Sequence, residues 1–66
     1  MASYYVNNRA QPNGDHEVHM ASCSRFPSDY EFLGDFGGCT PAVERANLTH
    51  RPANGCRHCC PACHTG

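Results

Sequence analysis

Two stretches in the N-terminal third of the chain carry patterns that favour β-strands. Residues 3–8 contain Tyr, Tyr and Val, which are good strand formers. Residues 15–20 alternate polar and apolar side chains, so Glu17 and His19 are predicted to share one face of a strand. The intervening Pro-Asn-Gly-Asp sequence is a strong turn signal. The pattern therefore predicts a β-hairpin with a rather long loop.

The middle of the chain predicts a third short strand and then one helix. Residues 31–36 are largely apolar and aromatic and end at two consecutive glycines. Thr40 is expected to cap the helix and Pro41 to occupy its first position. The apolar stripe of this helix is weak and is formed by Ala42, Val43, Ala46 and Leu48. Residues 49–55 are expected to form a loop.

The chain is short, and its apolar core is thin. It has 66 residues, with no Trp and no Ile. Since a domain of this size buries only about 60% of its unfolded surface, hydrophobic burial alone barely offsets the loss of chain entropy. A single domain spanning residues 1–66 is therefore expected to need a disulfide or a metal, and six cysteines supply the means.

Metal ligation is the predicted role of these cysteines. The C-terminal segment reads Cys-Arg-His-Cys-Cys-Pro-Ala-Cys-His and holds two C-x2-C units end to end. A C-x2-C turn places two thiolates at two corners of a tetrahedron, which suits zinc. The N-terminal half offers one compact pair, His19 and Cys23, four residues apart. Zinc held by one N-terminal and one C-terminal pair would close a long loop and stabilise the fold.

The residues alone leave the C-terminal ligand pair open. Cys56 with Cys59 and Cys60 with Cys63 have the same spacing, and His64 and Cys39 are further possible ligands. Cys39 is more simply interpreted as a small apolar residue near the start of the helix.

The charge and hydropathy of the chain limit which partners it is expected to bind and in which compartment it is expected to be found. No segment resembles a secretory signal or a membrane span, so a cytoplasmic protein with reduced thiols and no membrane association is expected. The net charge is −1, with five Arg and no Lys. A typical nucleic-acid-binding domain has an excess of basic residues, which this chain lacks. The C-terminal half is nevertheless basic, and Arg45, Arg51 and Arg57 are the best candidates for partner contacts.

The order of these motifs resembles a known family. His19-x3-Cys23, Phe-Leu-Gly-Asp-Phe at 32–36, Ala-Val-Glu-Arg-Ala at 42–46 and Cys56-x2-Cys59 are similar to the zinc-binding module of the Ada DNA-repair protein. The likeness covers about residues 16–60. The chain also resembles a group of small bacterial cysteine-rich proteins of unknown function, through its Asn-Gly-Asp-His-Glu-Val-His stretch and its C-terminal cysteines.

The Ada resemblance implies a ligand set of His19, Cys23, Cys56 and Cys59. It does not imply the chemistry of Ada, in which the first ligand is a methyl-accepting thiolate. His19 stands at that position here, and a zinc-bound imidazole lacks an equivalent nucleophilic lone pair. The longer segment before Cys56 and the additional Cys60, Cys63 and His64 also depart from the family pattern.

The C-terminal segment is also compatible with other kinds of chemistry. Cys60-x2-Cys63-His64 matches the c-type haem attachment pattern and also resembles a redox-active dithiol. Three disulfides among six cysteines are a further alternative. Hydrolytic zinc catalysis would need an open coordination position and a general base. Glu17 is near His19 in sequence but is expected to be separated from it along the strand.

Together the patterns predict an α+β fold with a β-hairpin, a third strand, one short helix and a C-terminal C-x2-C knuckle. The expected function is a structural-zinc module that recognises a protein or nucleic-acid partner, with no catalytic activity and no small-molecule substrate. The alternative is a metal- or thiol-handling protein that uses the surplus thiols Cys60, Cys63 and Cys39.

Overall fold

A computed structural model describes residues 1–65 of the chain. It shows the α+β fold that the sequence predicts. One helix packs on a four-stranded mixed sheet, which has one strand more than predicted. The elements in chain order are β1 (Ala2–Asn7), β2 (His16–Met20), β3 (Tyr30–Phe36), α1 (Cys39–Ala46), β4 (Ala53–Gly55) and a 3₁₀ helix (Pro61–Cys63). The strand order across the sheet is β3-β1-β2-β4.

Strands β1 and β2 form the predicted antiparallel hairpin, with Tyr5 opposite His19. The loop is closed by hydrogen bonds that Gly14 N donates to Gln11 O and Gln11 N to Asp15 O, both 2.8 Å long. Gly14 has a φ of +93°, which an L side chain rarely adopts and which explains the Asn-Gly signal.

Strand β3 pairs antiparallel with β1 and forms one edge of the sheet. Its register shifts between Tyr4 and Tyr5, which lie opposite Gly34 and Phe32. Leu33 is the extra residue of this bulge. The bulge lets Leu33 turn into the core while Phe32 stays exposed on the other side.

The prediction of a loop throughout 49–55 is wrong for its last three residues. β4 pairs parallel with β2 and places Gly55 beside Val18. The strand lacks apolar alternation and is held by polar contacts instead: buried Asn54 donates from Nδ2 to Thr65 O at 2.8 Å and accepts from Thr65 N at 2.9 Å. These contacts depend on the tertiary structure, so the local pattern does not reveal them.

The helix begins earlier and ends earlier than predicted. Cys39 is its first residue and Gly38 its N-cap, with no side-chain capping bond, so the predicted cap at Thr40 is wrong. Pro41 is the third helical residue, where its missing N–H costs no intrahelical bond. Leu48 lies beyond the helix and is 76% exposed, so it is not part of the apolar stripe.

One face of the sheet forms the core with the helix. Because side chains alternate along strands, Tyr4, Val6 and Val18 all point toward α1, and they pack with Ala42 and Ala46. The opposite face carries Tyr5 and His19. The metal-ligating candidates are found on this second face and at the adjoining end of the sheet.

Candidate metal centre

The structure brings together His19, Cys23, Cys56 and Cys59. One potential ligand atom from each residue lies within 4.8 Å of every other. His19, Cys23 and Cys56 are buried and Cys59 is half-buried. The cluster joins the end of β2 to the segment after β4, so residues more than thirty positions apart share one site. This group can hold a metal ion.

The first pair is held by a tight turn at the end of β2. His19 lies on the last part of the strand, and Cys23 N donates to Met20 O at 3.0 Å, which turns the chain back toward the imidazole. His19 Nδ1 is 3.5 Å from Cys23 Sγ. Arg25 N then donates to Cys23 Sγ at 3.4 Å.

The second pair lies in a turn that begins where β4 ends. Cys56 N donates to Val18 O at 2.9 Å, which anchors Cys56 beside β2. His58 N donates to Cys56 Sγ at 3.4 Å, and Cys60 N donates to Cys56 O at 2.8 Å. Both Cys56 and Cys23 thus accept a backbone N–H from the residue two positions later. This repeated geometry is the knuckle that the C-x2-C spacing predicts.

Cys59 completes the cluster from the far end of the knuckle. Met20 N donates to Cys59 Sγ at 3.3 Å. Burial raises the pKa of the Cys59 thiol, and the Met20 N–H opposes that rise. A bound divalent cation would favour the thiolate instead, because a thiol that coordinates such a cation is deprotonated outright.

The His19 imidazole is fixed from both sides. Its Nδ1 faces Cys23, and its Nε2 lies 3.4 Å from Glu17 Oε1. Burial lowers the pKa of His19, although the Glu17 carboxylate acts in the opposite direction. The neutral imidazole is the form that binds metals, and a carboxylate on the distal nitrogen orients such a ligand.

The expectation that Glu17 is separated from His19 along the strand is wrong. The alternating pattern of residues 15–20 already places both side chains on one face, and the structure brings them into contact. Glu17 lies at the His19 nitrogen opposite Cys23, where it positions the imidazole.

Two of the distances between the candidate ligand atoms match the edges of a tetrahedral metal site. For a metal–sulfur bond of about 2.3 Å, the edge of a tetrahedron is about 3.8 Å. Cys23 Sγ and Cys56 Sγ are 3.8 Å apart, and His19 Nδ1 is 3.5 Å from Cys23 Sγ. Three sulfurs and one nitrogen are a donor set typical of a closed structural site, with no coordination position left for substrate.

The other sequence candidates lie outside this cluster. Cys39 and Cys63 form a disulfide, so neither is a free ligand and Cys39 is not simply an apolar residue. Its partner could not be identified from spacing, since 24 residues separate the two. The bond also joins Cys63 to α1 rather than to Cys60, which argues against a Cys60–Cys63 redox pair and against haem attachment at these residues.

Cys60 and His64 have other surroundings. Cys60 is a buried free cysteine in the apolar core, with its Sγ 3.8 Å from Cys59 Sγ. His64 Nδ1 bonds Gly55 O at 3.0 Å. Of the two C-x2-C pairs that the sequence left open, the structure brings Cys56 and Cys59 together with His19 and Cys23.

The three arginines considered as partner contacts are all exposed. Arg45 lies on α1, Arg51 precedes β4 and Arg57 lies in the knuckle between the two cysteine ligands. None of them forms an ion pair with another residue in the 1–65 range.

Comparisons with known proteins add no relative. The chain matches no protein-family model, no curated protein and no solved structure. The resemblances to the Ada module and to the bacterial cysteine-rich group therefore stay predictions. Within residues 1–65, no helix has the length and apolar character needed to cross a membrane.

Proposed function

We propose that this chain is a structural-zinc module whose surface recognises a macromolecular partner, and that it does not catalyse a reaction. The observation that supports this proposal is the buried His19/Cys23/Cys56/Cys59 cluster, whose ligand atoms lie within 4.8 Å of one another. Zinc is the ion that this donor set and tetrahedral spacing favour. The resemblance to the Ada module, in its motif order only, agrees with this proposal.

A structural role follows from what the ion would connect. Cys23 and Cys56 are 33 residues apart in sequence, and one ion would hold the end of β2 against the segment after β4. The apolar core is small and contains two alanines and Cys60. Free energy of zinc binding in such domains is largely free energy of folding.

Metal removal tests this proposal. Native mass spectrometry of the purified chain is expected to show one zinc ion, and EDTA is expected to remove it and abolish the folded circular dichroism spectrum. Cys56→Ser is expected to have the same effect without chelator, and Cys60→Ser serves as the matched control that keeps zinc. A chain that stays folded without bound metal contradicts the proposal.

A second candidate function is metal or thiol handling. It is favoured by the proximity of the free Cys60 sulfur to that of Cys59, at 3.8 Å, beside the Cys39–Cys63 disulfide. Two or more zinc ions per chain, or one that exchanges within seconds, would support handling over the structural role.

Because the three arginines are exposed, nucleic acid is one class of partner for the proposed recognition role. Titration with a short DNA or RNA at low ionic strength tests it, and any binding is expected to weaken steeply with salt. The absence of binding under those conditions removes nucleic acid from the candidates.

A further inference from the structure

An exposed aromatic surface lies on the face of the sheet opposite α1. It consists of Tyr5, Phe26, Tyr30 and Phe32, and the ring centroids of Tyr5 lie 5.1 to 5.4 Å from those of the other three. Phe32 is 55% exposed and Tyr30 47%. Four of the six aromatic side chains of this small protein are thus placed outside its core.

This aromatic surface adjoins a free sheet edge. β3 is the outermost strand, and on its outer side no other strand in residues 1–65 pairs with it. Its backbone donors and acceptors are therefore open to an added strand. Tyr30 and Phe32 lie on this edge strand itself, so an added segment would lie directly beside their rings.

The same strand is anionic. Residues 26–38 contain Asp29, Glu31 and Asp35 and neither Arg nor Lys. Asp29 lies 4.0 Å from Arg9, whereas neither Glu31 nor Asp35 has an ion-pair partner in the described chain. Asp35 accepts a hydrogen bond from Ser3 Oγ and shares the aromatic face of the sheet. A zinc ion with three thiolates and one imidazole would add a net charge of about −1 nearby. These charges repel phosphates, and they also repel a second copy of this edge.

The metal cluster positions part of this surface. Phe26 follows Cys23 by three residues, and its ring centroid is 6.4 Å from that of His19. Phe26 in turn packs against Tyr30 with 4.8 Å between centroids. The turn that brings Cys23 toward His19 therefore also positions Phe26, which completes the aromatic surface.

We propose that the β3 edge binds an extended, Lys- or Arg-bearing segment of a partner protein. The segment adds as a strand beside β3, and its cationic side chains lie on the aromatic face, over the rings of Phe32 and Tyr30 and beside Asp35. Glu31, which pairs with Val6 in the register, points to the other face of the sheet. This inference deepens the recognition role proposed above and rests on it for its biological meaning.

The probe is a fluorescent heptapeptide of alternating Arg and Thr, titrated into the zinc-loaded chain at low salt and followed by anisotropy. A peptide of equal charge with Pro in place of Thr loses the backbone N–H at every Pro, and the fixed φ of Pro disfavours a regular extended strand. Binding of the Arg-Thr peptide at least fivefold tighter than the Arg-Pro peptide is expected. Equal binding of both peptides, or of neither, overturns the proposal.

Two exposed substitutions locate the site. Phe32→Ser is expected to weaken peptide binding at least fivefold and Asp35→Lys, on the same face of β3, at least tenfold. Leu48→Ser and Glu44→Lys, at exposed positions outside the sheet, are matched controls expected to leave binding within twofold of wild type. Equal effects of the test and control substitutions overturn the assignment to β3, as do peptide-induced amide shifts confined to another element.

Measurement of zinc in the same samples separates the two proposals. A chain that holds zinc but fails to bind the peptide refutes the β3 site alone. A chain that binds the peptide through β3 but is folded without metal refutes the structural-zinc role and leaves the β3 site in place.

Discussion

At the scale of single residues, the ligand pairs are set up by backbone N–H groups as much as by side chains. Arg25 and His58 each direct an N–H at the cysteine two positions earlier. These donors come from the turn conformation, so any residue except Pro could provide them. The C-x2-C pattern therefore predicts the knuckle. The contact of Glu17 with His19 depends instead on a side chain that is part of neither the His-x3-Cys nor the C-x2-C motif.

Glu17→Gln tests that contribution. Loss of the carboxylate facing His19 Nε2 is expected to weaken zinc affinity about tenfold, because distal partners orient and polarise a ligating imidazole. Competition with a chelator at fixed pH measures the change, and Glu44→Gln on the exposed face of α1 is the control. Equal affinities of the two variants would show that Glu17 has no influence on the metal.

Cys60 predicts an alkaline limit to stability. Burial raises the pKa of the Cys60 thiol, and also that of the Tyr4 hydroxyl. A group whose pKa is raised on folding stabilises the protein below its unfolded pKa and loses that contribution as pH rises. For a thiol the loss begins near about pH 8.5.

The measurement is the free energy of unfolding, in zinc-containing buffer, of wild type and Cys60→Ala from pH 7 to 10. The difference between the two curves gives the pH-dependent contribution of Cys60, because the thiols of the metal cluster are present in both proteins. The wild-type advantage is expected to shrink above about pH 8.5. A difference that stays constant across the range would mean that Cys60 is not buried as a neutral thiol.

At the scale of elements, the order and types of the first three strands and the helix could be predicted from residue patterns, and β4 could not. The hairpin follows from alternation around a Pro-Asn-Gly-Asp turn. β4 has the sequence Ala-Asn-Gly, which no strand propensity favours, and forms because Asn54 bonds Thr65 and because Gly55 admits a close neighbour. A parallel pairing across such a sequence distance has no local signature.

Gly55→Ala tests the close approach between β4 and the 3₁₀ helix. A Cβ at residue 55 would lie 2.7 Å from Cys63 Cβ and 2.9 Å from Cys60 O. The substitution is expected to lower the free energy of unfolding by about 2 kcal/mol, as overpacked sites do. Urea denaturation measures it against Gly37→Ala, where a Cβ would meet nothing within 4 Å. Similar midpoints for the two variants would contradict the predicted clash.

At the scale of the whole molecule, the Cys39–Cys63 disulfide supplements a small core by joining the start of α1 to the 3₁₀ helix. A metal ion held by the His19/Cys23/Cys56/Cys59 cluster would be a second cross-link, between β2 and the knuckle. The need for a cross-link was predictable from the length and the thin core. The division of the six cysteines was not: three lie in the candidate metal cluster, two form the bridge and one is a buried thiol. Identical C-x2-C spacings differ here only in their tertiary surroundings.

The disulfide and the metal are expected to act independently. Cys39→Ser combined with Cys63→Ser should lower the free energy of unfolding by about 3 kcal/mol, the value for closing a loop of this length. Bound zinc should stay at one ion per chain. Wild type treated with a phosphine reductant is the control and should match the double variant. Loss of zinc from either sample would show that the two cross-links are coupled.

The two cross-linked loops overlap along the chain, and the exposed turn around Leu48 lies inside both of them. A protease that cuts after Leu48 would leave one fragment with His19, Cys23 and Cys39 and another with Cys56, Cys59 and Cys63. The fragments would remain together until both the sulfur bridge and the ion were removed, so a nicked molecule would keep the size of an intact one on a native gel.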